Sequence, residues 1–295
     1  MFDRRGKNRG IIAAVLAVAL AVGACMALTA CQTETEVQSN LTPQLQSGST
    51  IADGTLTVGV NASNSPYAGL NSNKETVGFD VDVAAAIADE LGMKLQIVDV
   101  GSNGRSALTN GQVDVALGMT KSGNVDTVTY SPAYINDGAS LFCLEQNRPA
   151  SVSDIDVSQG KVLVQGETTA AYTVQAALGV EAVQATSTMQ EAFEALKDGQ
   201  QKYLVADAVI GSYFARNYSD VVRVGFLSAD SVTPIYAVTL TQNSELSSAV
   251  SEAINTITQN GVLRVIDAKW LGAQGEELLP GQVDISTLPK TSFGK

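Results

Sequence analysis

The chain has 295 residues and is acidic, with 18 lysines and arginines against 30 aspartates and glutamates, a formal net charge of −12. It contains no histidine, which excludes histidine triads, histidine proton shuttles and histidine metal sites. A surface of this sign is a poor partner for nucleic acid or anionic lipid headgroups.

The amino end carries Arg4, Arg5, Lys7 and Arg9 and then an apolar run, residues 11–30, that closes in Leu28-Thr29-Ala30-Cys31. This pattern resembles the lipobox of a bacterial lipoprotein signal, with residues before the cysteine small enough for a peptidase cleft. Residues 1–30 are expected to be a signal peptide, and Cys31 the lipidated first residue of the mature chain. The competing reading is a single transmembrane helix, since twenty residues at ~1.5 Å each would just span a hydrocarbon core. A run made mostly of alanine and valine, with no basic stop-transfer flank, favours the signal. Val22-Gly23-Ala24-Cys25 is a weaker copy of the pattern and leaves Cys25 as an alternative lipidation site. Loss of the leader removes four basic residues and Asp3, leaving 14 against 29, a net of −15. The expected location is the extracytoplasmic face of the membrane.

Residues 31–50 read as a flexible tether, because 32–50 are mostly Gln, Thr, Ser and Glu with little to bury. As a coil, those 19 residues have a reach of ~25 Å. Past Cys31 the only cysteine is Cys143, between Phe142 and Leu144. It has no partner for an internal disulfide and reads as a small buried hydrophobe.

Strand and helix signals then alternate. Residues 55–60 form a short β-branched run. Residues 80–91 place Val83, Ile87 and Leu91 at helical spacing and stop at Gly92, and residues 95–100 are again strand-like. A short helix around 106–109, a turn at Asn110-Gly111 and a strand over 113–117 complete a βαβαβ order. That order predicts an α/β fold with a mainly parallel sheet. It then repeats. Leu91-Gly92 and Ala107-Leu108-Thr109-Asn110-Gly111-Gln112 are echoed by Leu178-Gly179 and Ala195-Leu196-Lys197-Asp198-Gly199-Gln200, at leucine-to-glycine intervals of 20 and 21 residues. Two similar lobes are implied.

A further strand, 235–241, and a helix, 244–259, with Leu246, Val250, Ile254 and Ile257 on one face have no counterpart in either copy. If they return to the first lobe, two strands near 136–144 and 230–236 join the lobes, and the space between them is a hinged cleft. The expected division is lobe 1 over 51–137 and 235–272, lobe 2 over 138–234, and a tail over 273–295. Small molecules bind in such clefts, at the carboxyl ends of parallel strands.

Val58-Gly59-Val60, Pro66-Tyr67, Gly78-Phe79-Asp80-Val81-Asp82, residues 107–114 and Gly118-Met119-Thr120 carry a specific likeness. So do Gln165-Gly166-Glu167-Thr168, Val205-Ala206-Asp207, Asn260-Gly261 and Lys269-Trp270-Leu271-Gly272. The chain resembles, over residues 55–272, the bacterial extracellular solute-binding proteins of family 3, the polar amino-acid type that serves ABC importers. The resemblance implies two flavodoxin-like α/β lobes with parallel-rich sheets joined by a two-strand hinge, the type II periplasmic-binding-protein-like fold.

The resemblance also supplies candidate ligand contacts. Thr168, in the turn before a helix, matches a ligand-contacting residue. Its neighbour Thr169 shares that helix start, where either hydroxyl could simply cap. Asp207 follows an apolar strand and matches the aspartate that holds the ligand's amino group, although a carboxylate there could equally cap the next helix. Gly118 and Thr120 match positions offering a backbone group and a hydroxyl. Asn61 and Asn64 sit on a cleft-bordering loop, where asparagine is also an ordinary turn residue. Two departures stand out. The segment after Thr120, Lys121-Ser122-Gly123-Asn124-Val125-Asp126, lacks the arginine that grips the α-carboxylate of the family's amino-acid ligands. Glu167 replaces a small hydroxyl residue and adds an acid near Asp207. Arg105 or Lys121 stands as the substitute cation.

The reading is a lipid-anchored, monomeric substrate-binding protein of an ABC importer, with a permease partner, no metal or cofactor and no catalysis. It would capture a small polar ligand, an amino acid or related amine, with Glu167 and Asp207 favouring positive charge. Two other classes stay open: a dehydratase on the same fold using Glu167 as general acid, and a sensor module for a membrane receptor.

Overall fold

A computed structural model of the chain describes residues 44–123, 126–150, 154–158 and 160–272. The expected signal peptide, Cys25, Cys31 and the tail over 273–295 lie outside the described residues.

The first copy of the repeat is β1 (Thr55–Val60), a small hairpin of β2 (Gly69–Leu70) and β3 (Thr76–Val77), α1 (Phe79–Glu90), β4 (Lys94–Asp99), α2 (Gly104–Thr109) and β5 (Val115–Met119). Then come β6 (Val128–Asp137) and, across Gly138, β7 (Ala139–Leu144). The second copy is β8 (Val162–Gln165), α3 (Thr169–Leu178), β9 (Val183–Thr186), α4 (Met189–Lys197) and β10 (Tyr203–Asp207). After it come α5 (Ala208–Ala215), β11 (Val221–Phe226), β12 (Thr233–Leu240), α6 (Ser244–Gln259) and α7 (Val262–Leu271).

Two five-stranded sheets result, in the orders β4-β1-β5-β12-β6 and β9-β8-β10-β7-β11. They follow one plan. In each, the three repeat strands are parallel, the fourth strand runs against both its neighbours, and the fifth closes the edge. The chain exchanges strands between them: the edge strand β6 continues into the reversed strand β7 of the other sheet, and the edge strand β11 leads to the reversed strand β12 of the first. The two crossings touch at Gly138, which has φ +125°, and a Cβ there would lie 1.8 Å from the Ser231 carbonyl oxygen. Only glycine admits that approach.

The punctuation that exposed the repeat has a common cause. In α2 the Gly111 N–H bonds the Leu108 carbonyl and the Gln112 N–H bonds the Ala107 carbonyl; in α4 Gly199 bonds Leu196 and Gln200 bonds Ala195 in the same way. This is the Schellman ending, which needs a left-handed residue, and the two glycines have φ of 67° and 70°. Leu178-Gly179 does not share it, since Gly179 is extended in ψ (157°) and bonds back to Gln175.

Helix α6 has the bounds and the buried face that its periodicity predicts, with Leu246, Val250, Ile254 and Ile257 each at most 1 % exposed. It packs with α1 and α7 over the first sheet, and each such side chain contributes roughly 1.5–3 kcal/mol by burial. In the second sheet Cys143 is fully buried on β7, and desolvation pushes its thiol up to about 12, so it is a core residue and no nucleophile. Among the described residues, no helix is long and apolar enough to cross a membrane.

One expectation needs correcting. Residues 44–50 fall in the stretch read as a tether, yet they are tied to the body. Gln44 donates from its N–H to the Leu91 carbonyl (3.1 Å) and from its side-chain amide to the Glu90 carbonyl (2.7 Å). Ser49 donates to Glu245 (2.8 Å), while its carbonyl accepts from the Asn243 amide (2.8 Å). Polar composition signals a lack of apolar burial, but it does not forbid docking through hydrogen bonds.

Candidate functional site

A cavity of about 360 Å³ opens where the strand ends of the two sheets meet the crossings. The first sheet's side supplies Asn64, Tyr67, Gly118 and Thr120; the crossings supply Asp137, Gly138, Ala139, Asp230, Ser231 and Thr233; the second sheet's side supplies Thr169, Thr173 and Asp207. A larger hollow of about 510 Å³ lies between α1, α6 and residues 44–45, on the outer helical face. It is remote from the strand ends and draws nothing from the second sheet.

Asp207 ends β10, in the extended conformation that precedes α5, but its side chain makes no capping hydrogen bond. The cap is supplied by Asp137. Its Oδ1 accepts from the Val209 N–H (3.0 Å) and the Gly138 N–H (2.8 Å), and its Oδ2 accepts from the Tyr67 hydroxyl (2.7 Å). Asp137 therefore links the first-sheet loop to the start of α5 and leaves the Asp207 carboxylate facing the cavity. Burial, with the Asp137 charge as the second cause, raises the Asp207 carboxyl to about 6.

Beneath the cavity floor lies a buried polar chain. The Gly118 N–H donates to the Tyr134 hydroxyl (2.8 Å), which donates to Asp80 Oδ1 (2.7 Å). Asp80 opens the first turn of α1, is 2 % exposed, and is raised by desolvation to about 7. A Cβ on Gly118 would sit 2.9 Å from Asp80 Oδ2, so the strand's turn into the site is seated directly on that carboxyl group. Gly118, expected to offer a backbone group to the ligand, lines the cavity with its N–H already bonded to Tyr134.

The other candidates divide. Asn64, Thr120, Thr169 and Asp207 line the cavity; Asn61, Glu167 and Thr168 do not. Asn61 accepts from the Ser63 N–H (3.1 Å) as a turn residue. Thr168 is the N-cap of α3, accepting from the Ala171 N–H (3.2 Å) and donating to the Gln165 carbonyl (2.8 Å). Glu167 is exposed, in the left-handed region at φ 59°.

Neither substitute cation lines the cavity. Arg105 donates to the Ser122 carbonyl (2.9 Å) and the Tyr130 hydroxyl (2.6 Å), and the Lys121 ammonium lies 4.7 Å from the ring centroid of Tyr236 and 5.8 Å from that of Tyr130. Both lie beside the tyrosines of β6 and β12. Sequence reasoning missed Asp137, Asp230 and Tyr67 as site residues. The signal for Asp137 was the Asp137-Gly138 pair interrupting two strand-like runs, which marks a sharp event in the backbone.

Residues 56–273 match the family described as bacterial extracellular solute-binding proteins, family 3. The chain belongs to that family, and its fold is the type II periplasmic-binding-protein-like arrangement. The arginine-binding extracellular protein ArtP of Bacillus subtilis is 25 % identical over 262 residues, covering 85 % of this chain and 96 % of that protein. Membrane-bound lytic murein transglycosylase F of Mannheimia succiniciproducens is 23 % identical over 72 % of this chain, which spans only 45 % of that longer relative. Among solved structures, an ancestral cationic amino acid solute-binding protein superposes with a TM-score of 0.60 at 26 % identity, covering 74 % of this chain and 96 % of that one.

Proposed function

We propose that this solute-binding protein is the capture component of an ABC importer, lipid-anchored through Cys31, and that it holds a small polar amine-bearing solute, an amino acid or related amine, between its two sheets. The observation that carries the reading is Asp207: a carboxylate at a strand end, excused from capping by Asp137 and turned to a cavity lined by hydroxyls. A bound ammonium meeting it forms a charge-assisted hydrogen bond in a partly desolvated site. Contacts from both sheets coexist only when the halves approach, so ligand shifts the population toward a closed form that a permease can read. The names of the relatives support an amine-bearing ligand, two of them being described by arginine or cationic amino acids.

The dehydratase reading needs Glu167 in the cleft, and Glu167 is exposed and outside the cavity lining. A thermal-shift screen of amino acids, amines, sugars and dicarboxylates tests the preferred function, since a ligand that binds only the folded state raises Tm. Amines and amino acids should raise it. Stabilisation by sugars or dicarboxylates alone would overturn the reading.

A further inference from the structure

We propose that this cavity selects its ligand by cationic groups alone, and that it accepts carboxylate-free amines at least as well as the amino acids that differ from them by one carboxylate. The inference rests on the solute-binding reading and names the ligand class of the same site.

Three carboxylates, Asp137, Asp207 and Asp230, line the cavity, and no lysine or arginine lies among its described lining residues. Burial first and the Asp137 charge second raise the Asp207 carboxyl, so these two acids add unfavourable charge to each other. The three do not converge: among the described residues no group of three acids is placed to hold a metal ion. Asp137 already accepts from Val209, Gly138 and Tyr67, which leaves Asp207 and Asp230 as two separate carboxylates, an arrangement that suits a ligand carrying positive charge at more than one point along its length.

An α-amino acid brings a carboxylate into the same space, and little there can receive it. Neither Arg105, bonded to Tyr130, nor the exposed Lys121, whose ammonium lies over the Tyr130 and Tyr236 rings, is among the lining residues. The Gly118 N–H is taken by Tyr134, and the Thr168 hydroxyl caps α3. What remains is the positive end of α3 with the Asn64 amide and the Thr120, Thr169 and Thr233 hydroxyls, neutral donors that make a weaker counter-ion than a bidentate guanidinium. Three aspartates around the cavity offset that contribution, so the ligand's carboxylate contributes no net affinity.

The test is calorimetric titration of the full chain with two matched pairs, lysine against cadaverine and arginine against agmatine. In each pair the molecules differ only by the carboxylate. The expected result is a Kd for each amine equal to or below that of its amino acid. Asp230→Asn, a change at an exposed residue of the crossing, should weaken cadaverine at least tenfold more than it weakens pentylamine, which lacks the second charge. An amino acid binding tenfold or more tightly than its decarboxylated partner would overturn the inference while leaving the solute-binding reading intact. Failure of all four, together with a screen in which no amine or amino acid raises Tm, would overturn both.

Discussion

Asp80 allows a quantitative forecast. Its carboxyl is raised from 3.8 to about 7 by burial, so between pH 5 and pH 7 the folded chain holds a proton there that the unfolded chain has released. Stability therefore falls as pH rises through this window, by ~1.4 kcal/mol per pH unit, about 3 kcal/mol between pH 5 and pH 8. For a body of this size that is roughly 6–12 °C in Tm. Asp80→Asn is neutral throughout and keeps an acceptor for the Tyr134 hydroxyl, so it should remove this part of the slope. Asp207 and Asp267, both raised to about 6 by burial, contribute equally to wild type and variant and cancel in the comparison. The assay is differential scanning fluorimetry of both proteins without ligand from pH 5 to 8. The gap should open in favour of the variant toward pH 8, and parallel Tm curves would refute the burial argument.

Ligand affinity should respond to pH with the opposite sign. An ammonium needs the ionised Asp207, whose carboxyl sits at about 6, so calorimetry should give roughly tenfold weaker binding at pH 5 than at pH 7.5; flat affinity would remove Asp207 from the contact. Gly138→Ala places a Cβ 1.8 Å from the Ser231 carbonyl oxygen and should cost about 2 kcal/mol or more. Gly199→Ala, whose Cβ meets nothing within 4 Å, should cost only the left-handed penalty of ~1–2 kcal/mol; equal losses in urea melts would contradict the role of the crossing. Cys31→Ala should leave unprocessed precursor or shed protein in membrane fractionation, whereas unchanged size and retention would point to Cys25 or an uncleaved helix.

Periodic features were legible in the residues. Helix α6 could be bounded from its apolar spacing, and the paired Gly111 and Gly199 endings revealed two copies of one unit, because a Schellman turn demands a particular residue at a particular place. Asp207 was legible at the end of an apolar strand, and Thr120 through the family resemblance. Asp230 was not, since its importance arises where two crossings meet; for Asp137 the Asp137-Gly138 pair marked a break between two strands but not what the carboxylate does there. Arg105 and Lys121 show the same limit: closeness in sequence to the site said nothing about direction, and the rings they meet stand on β6 and, for Tyr236, on the distant strand β12. Residues 44–50 dock mainly through polar bonds, with Leu45 as their apolar contact to the core, and such bonds have no hydropathy signature.

The central claim is that Asp207 holds the amine of a solute in the cavity between the sheets. Its most direct test is side-by-side calorimetry of wild type and Asp207→Ala with whichever amine or amino acid raises Tm most, at pH 7.5. Truncating one partner of such a charge pair costs ~2–5 kcal/mol, so affinity should fall by at least about thirtyfold while circular dichroism and Tm without ligand show an intact fold. Wild-type affinity in a folded Asp207→Ala protein would contradict the account.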